Sequence, residues 1–284
     1  MKVSLEFFLK FYRVSDWIKV LGLVLIPCIL FKASITDTLK LIFITSLLLA
    51  YSFSINDFFD FKCRGEKNLV GETYKMEKNI SILLLLIPSF MLICFLAVIF
   101  PTFLSRVFFI LDFLIFSLYS IPPFRLRDRK TIDVLSNSLM FPLILLYSYF
   151  YFTVSFSLFL LLLFLSFFFY FSVSEIIHEI SHSKKDRLTG RITTAAWLGR
   201  KRSIKLIKLI LFLSLPVFTL FIISLIYPFN ILPIVSSVFS LLRIDRINSW
   251  KGSFSKLRNK IYGTEEGVIY IGLLLIFKLL LQQE

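Results

Sequence analysis

Apolar residues in this sequence come in runs of about 18 to 22, and short basic segments separate each run from the next. That is the length a helix needs to cross a hydrocarbon layer roughly 30 Å thick. Within lipid the backbone must satisfy its own hydrogen bonds, and runs this long do so as α-helices. Composition agrees, because 57% hydrophobic residues and 35 phenylalanines among 284 residues are more than one soluble core can hide. The expected fold class is therefore all-α: a polytopic membrane bundle, one domain over residues 1–284.

The spans read as 17–36, 39–59, 80–100, 103–122, 133–153, 156–177, 204–226, 229–243 and 264–281, about nine transmembrane helices. The eighth is short and opens with Pro233 in its first turn. Ahead of the first span, residues 1–19 mix Leu5, Phe8, Leu9 and Tyr12 with Lys10, Arg13 and Lys19, the pattern of an interfacial N-terminal helix. No cleavable signal is expected.

Charge placement gives a topology. With the N-terminus cytoplasmic, segments 1–19, 60–79, 123–132, 178–205 and 243–262 face inward and carry the great majority of the 32 lysines and arginines. The net charge of +14 follows from this topology and from anionic membrane lipids, so no nucleic acid partner is needed to explain it. Cys28, Cys63 and Cys94 are scattered and suggest no disulfide framework.

Against this apolar background, the second span closes with Asn56, Asp57 and Asp60. An aspartate at a helix centre disfavours insertion by about 2.5 to 3.5 kcal/mol, whereas each Leu or Phe favours it by about 0.3 to 0.6, so a helix end is the tolerable place for such acids. Spacings of three and four put all three residues on one helical face. On their own apolar side Asp57 and Asp60 have no cationic partner at helical spacing, which favours an external cation over a local salt bridge. Two acids and an amide suit a hard divalent ion when phosphate or water supplies the remaining oxygens.

The sixth span runs into a second cluster over 175–190: Glu175, His178, Glu179, His182 and Asp186, with Gly190, Thr193, Thr194 and Gly199 after it. Glu175, Glu179, His182 and Asp186 form one helical stripe. Both clusters leave even-numbered spans, so both face the cytoplasm, as two four-helix units meeting around one cavity would place them. Between them, Pro122 and Pro123 stop the fourth span after Tyr119 and set Arg125 and Arg127 where guanidinium forks match phosphate oxygens. Lys67, Lys130 and Arg187 are looser candidates for the same task.

Asn56-Asp57-x-x-Asp60 resembles the first acidic motif of the UbiA prenyltransferases. Tyr119-Ser-x-Pro-Pro-x-Arg125 resembles their loop after the fourth span, and Glu179 through Asp186-x-x-x-Gly190-x-x-Thr193 their second acidic motif. The resemblance implies a helical bundle around a central cavity open to the cytoplasmic side, in the cell membrane. It also implies transfer of a prenyl group from a polyprenyl diphosphate to a lipophilic or aromatic acceptor. Mg2+ would be held by Asp57, Asp60, Glu179 and Asp186, and Tyr119 would belong to the catalytic set. Asn56, Lys67, Arg125, Arg127, Lys130 and Arg187 would bind the diphosphate. Two positions depart from the pattern: Arg64 stands where the family has a third acid, and His182 where it has Asp.

A rival pattern shares these residues. His178-Glu179-x-x-His182 is a literal H-E-x-x-H, the spacing of a zinc metalloprotease, for which only Asp245, Glu265 or Glu266 remains downstream as a third ligand. Asp112, in the middle of the fourth span, is either an acceptor-orienting group or a protonated acid bonded to a neighbouring helix.

Overall fold

A computed structural model of the chain describes residues 4–188 and 190–226. Among them there is no strand. In chain order the helices are α1 (Leu5–Phe11), α2 (Val14–Trp17), α3 (Gly22–Leu30), α4 (Ile35–Arg64), α5 (Leu69–Met76), α6 (Lys78–Ile99), α7 (Phe103–Ser120), α8 (Ile132–Phe150), α9 (Leu158–Leu188), α10 (Thr194–Leu198) and α11 (Arg200–Ile226). Six of these, α4, α6, α7, α8, α9 and α11, are long and apolar enough to cross a membrane. The spans expected at 229–243 and 264–281 lie outside the described residues.

The expected first span, 17–36, is not one helix. A 3-10 turn over Ile18–Leu21 joins α2 to α3, which has only nine residues. Lys32 then takes a left-handed conformation (φ 49), and the Ala33 and Lys32 amides bond back to the Cys28 and Ile29 carbonyls, which ends the helix. At 1.5 Å per residue α3 itself is about 14 Å long, and the 3-10 turn and α2 continue the helical stretch back to Val14.

Two helices overrun their expected ends, and the overrun carries the acids. The 30 residues of α4 reach about 45 Å, well beyond the hydrocarbon thickness. This helix stops at Gly65, whose φ of 66 lets the Gly65 and Glu66 amides close on the Phe61 and Asp60 carbonyls. Likewise α9, 31 residues long, continues past its apolar run to Leu188.

The chain divides into two compact units, one holding residues up to Leu126 together with 143–154, the other holding 127–142 and the residues from 155 onward. The boundary inside α8 falls at Pro142, which lacks the amide a continuous helix would use there.

In the first unit α4 packs against α3, α5, α6 and α7. The N-terminal segment docks here too: Phe11 is fully buried with Val70, Leu84 and Leu85, and Tyr12 Oη donates to the Leu84 carbonyl at 2.7 Å. Gly71 lets α5 sit tight on α4, because a Cβ there would collide with the Phe61 ring. Phe100, Phe109 and Tyr147 pack ring against ring. The second unit is built on α9, against which α10 and α11 pack. Its core gathers Val134, Val173, Ile176, Ile177, Ile180, Ala195, Ile207 and Leu211.

Candidate active site

Asp57 and Asp60 sit in the last two turns of α4 and are nearly buried, at 9% and 7% exposure. Each carboxylate is met by an arginine remote in sequence, which helical spacing could not foretell. Arg13 Nη1 reaches Asp57 Oδ1 at 3.0 Å, and Arg125 Nη2 reaches Asp60 Oδ1 at 3.1 Å. Arg13 is itself in the left-handed region (φ 51), pairs with Asp16, and lies over the Phe53 ring. Burial works against its charge, yet Asp57 and Asp16 outweigh burial and raise its proton affinity above the ordinary value.

The loop after α7 delivers Arg125. With Ile121 extended before Pro122, the chain turns and Arg125 (φ 36) also donates to the Phe59 carbonyl at 3.0 Å. Asn56 accepts from Ser120 Oγ at 3.2 Å, which ties the first acidic motif to the end of α7. Asn68 caps α5 through its side-chain oxygen and donates its amide to the Asp57 carbonyl at 2.8 Å. Tyr119 is half-buried in the last turn of α7, and Lys67 is exposed between α4 and α5. The first unit thus brings together Asn56, Asp57, Asp60 and Arg125, and adds Arg13, Asn68 and Ser120, which the sequence did not single out as site residues.

In the second unit Glu179 and Asp186 are buried, at 3% and 4% exposure, on the extended end of α9. Ala195 N donates to Glu179 Oε2 at 2.9 Å. Thr193 Oγ1 lies 3.4 Å from Asp186 Oδ2, and Arg191 Nη1 lies 3.5 Å from Asp186 Oδ1. Arg191 also bonds Asp128. Asp133, at 1% exposure, belongs to the same cluster by accepting from the Thr194 amide. Sequence reading passed over it because an acid in the first turn of a helix is an ordinary complement to the helix dipole. Arg127 is half-buried, Lys130 lies over the Trp197 ring at 4.6 Å, and exposed Arg187 donates to the Ala196 carbonyl.

The donor set suits a hard cation. Asp57, Asp60, Glu179 and Asp186 offer oxygen only, and Glu179 Oε1 is buried with no hydrogen-bond partner. Asp133 and Glu175 lie close to Glu179, so three carboxyl groups crowd a buried position at which a bound cation would favour their ionised forms. Among the described residues no three His, Cys, Asp or Glu side chains gather as a metal-binding group. Mg2+ requires no such cage, since it takes one or two carboxylates and fills its shell with phosphate and water. Zinc in an H-E-x-x-H site does require one. The His178 and His182 rings are 4.6 Å apart, with no third ligand gathered among the described residues, and Asp245, Glu265 and Glu266 lie outside them.

No family model and no curated protein matches the sequence. Solved structures do match. A UbiA homolog from Archaeoglobus fulgidus, 17% identical, superposes with a TM-score of 0.74 over 96% of this chain and 98% of that one. The same homolog bound to GPP and Mg2+ gives 0.73 over 96% of both chains. The chain has the UbiA fold. A digeranylgeranylglyceryl phosphate synthase is similar at a TM-score of 0.59 and 17% identity, covering 97% of this chain and 96% of that one. With its six membrane-length helices, the UbiA-fold chain is an integral membrane protein.

Proposed function

We propose that the chain is a Mg2+-dependent intramembrane prenyltransferase of the UbiA family. It moves a prenyl group from a polyprenyl diphosphate to a lipophilic or aromatic acceptor. The observation that carries this proposal is the burial of Asp57, Asp60, Glu179 and Asp186 on α4 and α9, since topology signals would be solvated. A further support is the fold shared with a UbiA homolog bound to GPP and Mg2+ and, in a second structure, to DMAPP and Mg2+.

Asp57, Asp60, Glu179 and Asp186 are the residues that would hold Mg2+ and, through it, the donor's diphosphate. When bound, Mg2+ supplies Lewis-acid stabilisation of the charge that gathers on the leaving diphosphate. Arg125, held by Asp60 and the Phe59 carbonyl, contributes its guanidinium charge to the phosphates. Asn56, Lys67, Arg127, Lys130 and Arg187 secure the remaining oxygens, and Tyr119 borders the reacting carbon. The allylic carbon–oxygen bond breaks with its electron pair leaving on the diphosphate, and the acceptor's electron pair forms the new bond as it sheds a proton. Aromatic side chains of the spans keep water from the cation and stabilise it with their ring faces. The N-terminus and the site face the cytoplasm, and the site opens toward that side.

The test incubates membranes containing the protein with labelled prenyl diphosphates of several lengths and a panel of lipophilic acceptors, with Mg2+ or with a chelator. A labelled lipid product that requires Mg2+ is expected. Failure of every donor to bind or react, with inserted protein, overturns the proposal.

A further inference from the structure

We infer that Asp133 is a positioning residue for the second acidic pair, acting through the Thr193-Thr194-Ala195 turn; this rests on the metal-binding role proposed above for Glu179 and Asp186. The three residues of the turn divide their hydrogen bonds in strict alternation. Thr193 Oγ1 reaches Asp186 Oδ2, and Ala195 N donates to Glu179 Oε2. Thr194, between them, gives both its donors to Asp133: its amide to Oδ2 at 2.6 Å and its hydroxyl to Oδ1. The Thr194 hydroxyl in turn accepts from Thr131 N at 2.7 Å. The turn is therefore pinned by the start of α8, and any slip of Thr194 moves the donors on both acids at once.

A place in the first turn of α8 alone does not account for Asp133. Its Oδ1 also accepts from Val134 N, but complementing the helix dipole does not require a carboxylate buried to 1% exposure. Both of its oxygens face Thr194 donors, as expected of a group selected to fix a second element. The consequence falls on Glu179: with Oε2 held by Ala195 N and the Asp133 carboxyl alongside, the direction of Oε1 is set. A metal-ligating carboxylate oriented in this way binds tightly because its neighbours have already restricted it, and removing such an outer partner typically costs 10- to 100-fold in metal affinity.

The experiment titrates full-length purified protein with Mn2+ in the presence of inorganic diphosphate, reading free Mn2+ by electron paramagnetic resonance. It compares wild type, Asp133→Asn, Thr194→Val and the ligand control Asp186→Asn. Mn2+ binding is expected to weaken by about 10- to 100-fold in Asp133→Asn and by less, in the same direction, in Thr194→Val. In turnover, half-saturating Mg2+ rises while kcat at saturating Mg2+ stays near wild type, a split that general destabilisation does not produce. Wild-type Mn2+ affinity in both Asp133→Asn and Thr194→Val, with affinity lost in Asp186→Asn, overturns the positioning role and leaves the metal site standing. Wild-type affinity in Asp186→Asn overturns the metal site and the inference with it. If Asp133→Asn does not fold, Thr194→Val decides alone.

Discussion

The Arg125 guanidinium and the Asp60 carboxylate stand 3.1 Å apart, both about nine-tenths buried, although they are 65 positions apart in sequence. Removing one partner of such a pair leaves the other buried and uncompensated, at a cost of about 3 to 5 kcal/mol. Arg125→Ala should therefore lower thermal stability in detergent and also reduce kcat/KM by roughly 100-fold or more, as loss of a donor to developing charge does. Arg125→Lys should recover most of the stability and little of the activity, because an ammonium cannot bridge carboxylate and phosphate with a fork.

Arg13 presents the opposite case. It is more than a third exposed, so its pair with Asp57 is worth about 0 to 1 kcal/mol. Arg13→Gln should barely move the unfolding midpoint. Because Arg13 and a metal compete for Asp57 Oδ1, the substitution should lower the Mg2+ concentration needed for half-maximal turnover. A rise in that concentration would show that Arg13 assists the metal rather than competing with it.

Asp112 is fully buried in α7, and neither carboxylate oxygen has a hydrogen-bond partner. Burying a polar group without a partner costs about 1 to 3 kcal/mol, so Asp112→Leu should raise the thermal midpoint and keep prenyl transfer. Loss of transfer in a stabilised Asp112→Leu protein would mark Asp112 as an acceptor-binding group.

Gly71 links packing to the site. A methyl there must push against Phe61, so Gly71→Ala should destabilise by about 1 to 3 kcal/mol and shift Asn68, whose amide holds the Asp57 carbonyl. Reduced stability together with a higher Mg2+ concentration for half-maximal turnover is the expected pair of results.

The features of the fold and site that were legible are those set by local rules. Lipid demands long apolar runs, and α4, α6, α7, α8, α9 and α11 follow from that demand. The acids on α4 and α9 stood out because lipid penalises them. The 17–36 segment ends earlier and changes helical form within it, both missed because hydropathy does not register a 3-10 turn or the left-handed Lys32. Helix ends misled as well, since apolar runs stop where charge begins while backbone bonding continues to Gly65. The partners of the acids were hidden for a different reason. Arg13 meets Asp57 across 44 residues and Asp133 meets Thr194 across 61, pairings created only by tertiary packing.

The central claim is that carboxylates from two distant regions of the chain serve one diphosphate. It is tested most directly by prenyl transfer and Mn2+-diphosphate binding in Asp57→Ala, Asp186→Ala and the double substitution. The account predicts that either single change abolishes both signals and that the double change adds little further loss, as groups acting as a unit do. Turnover that survives Asp57→Ala combined with Asp186→Ala would contradict it.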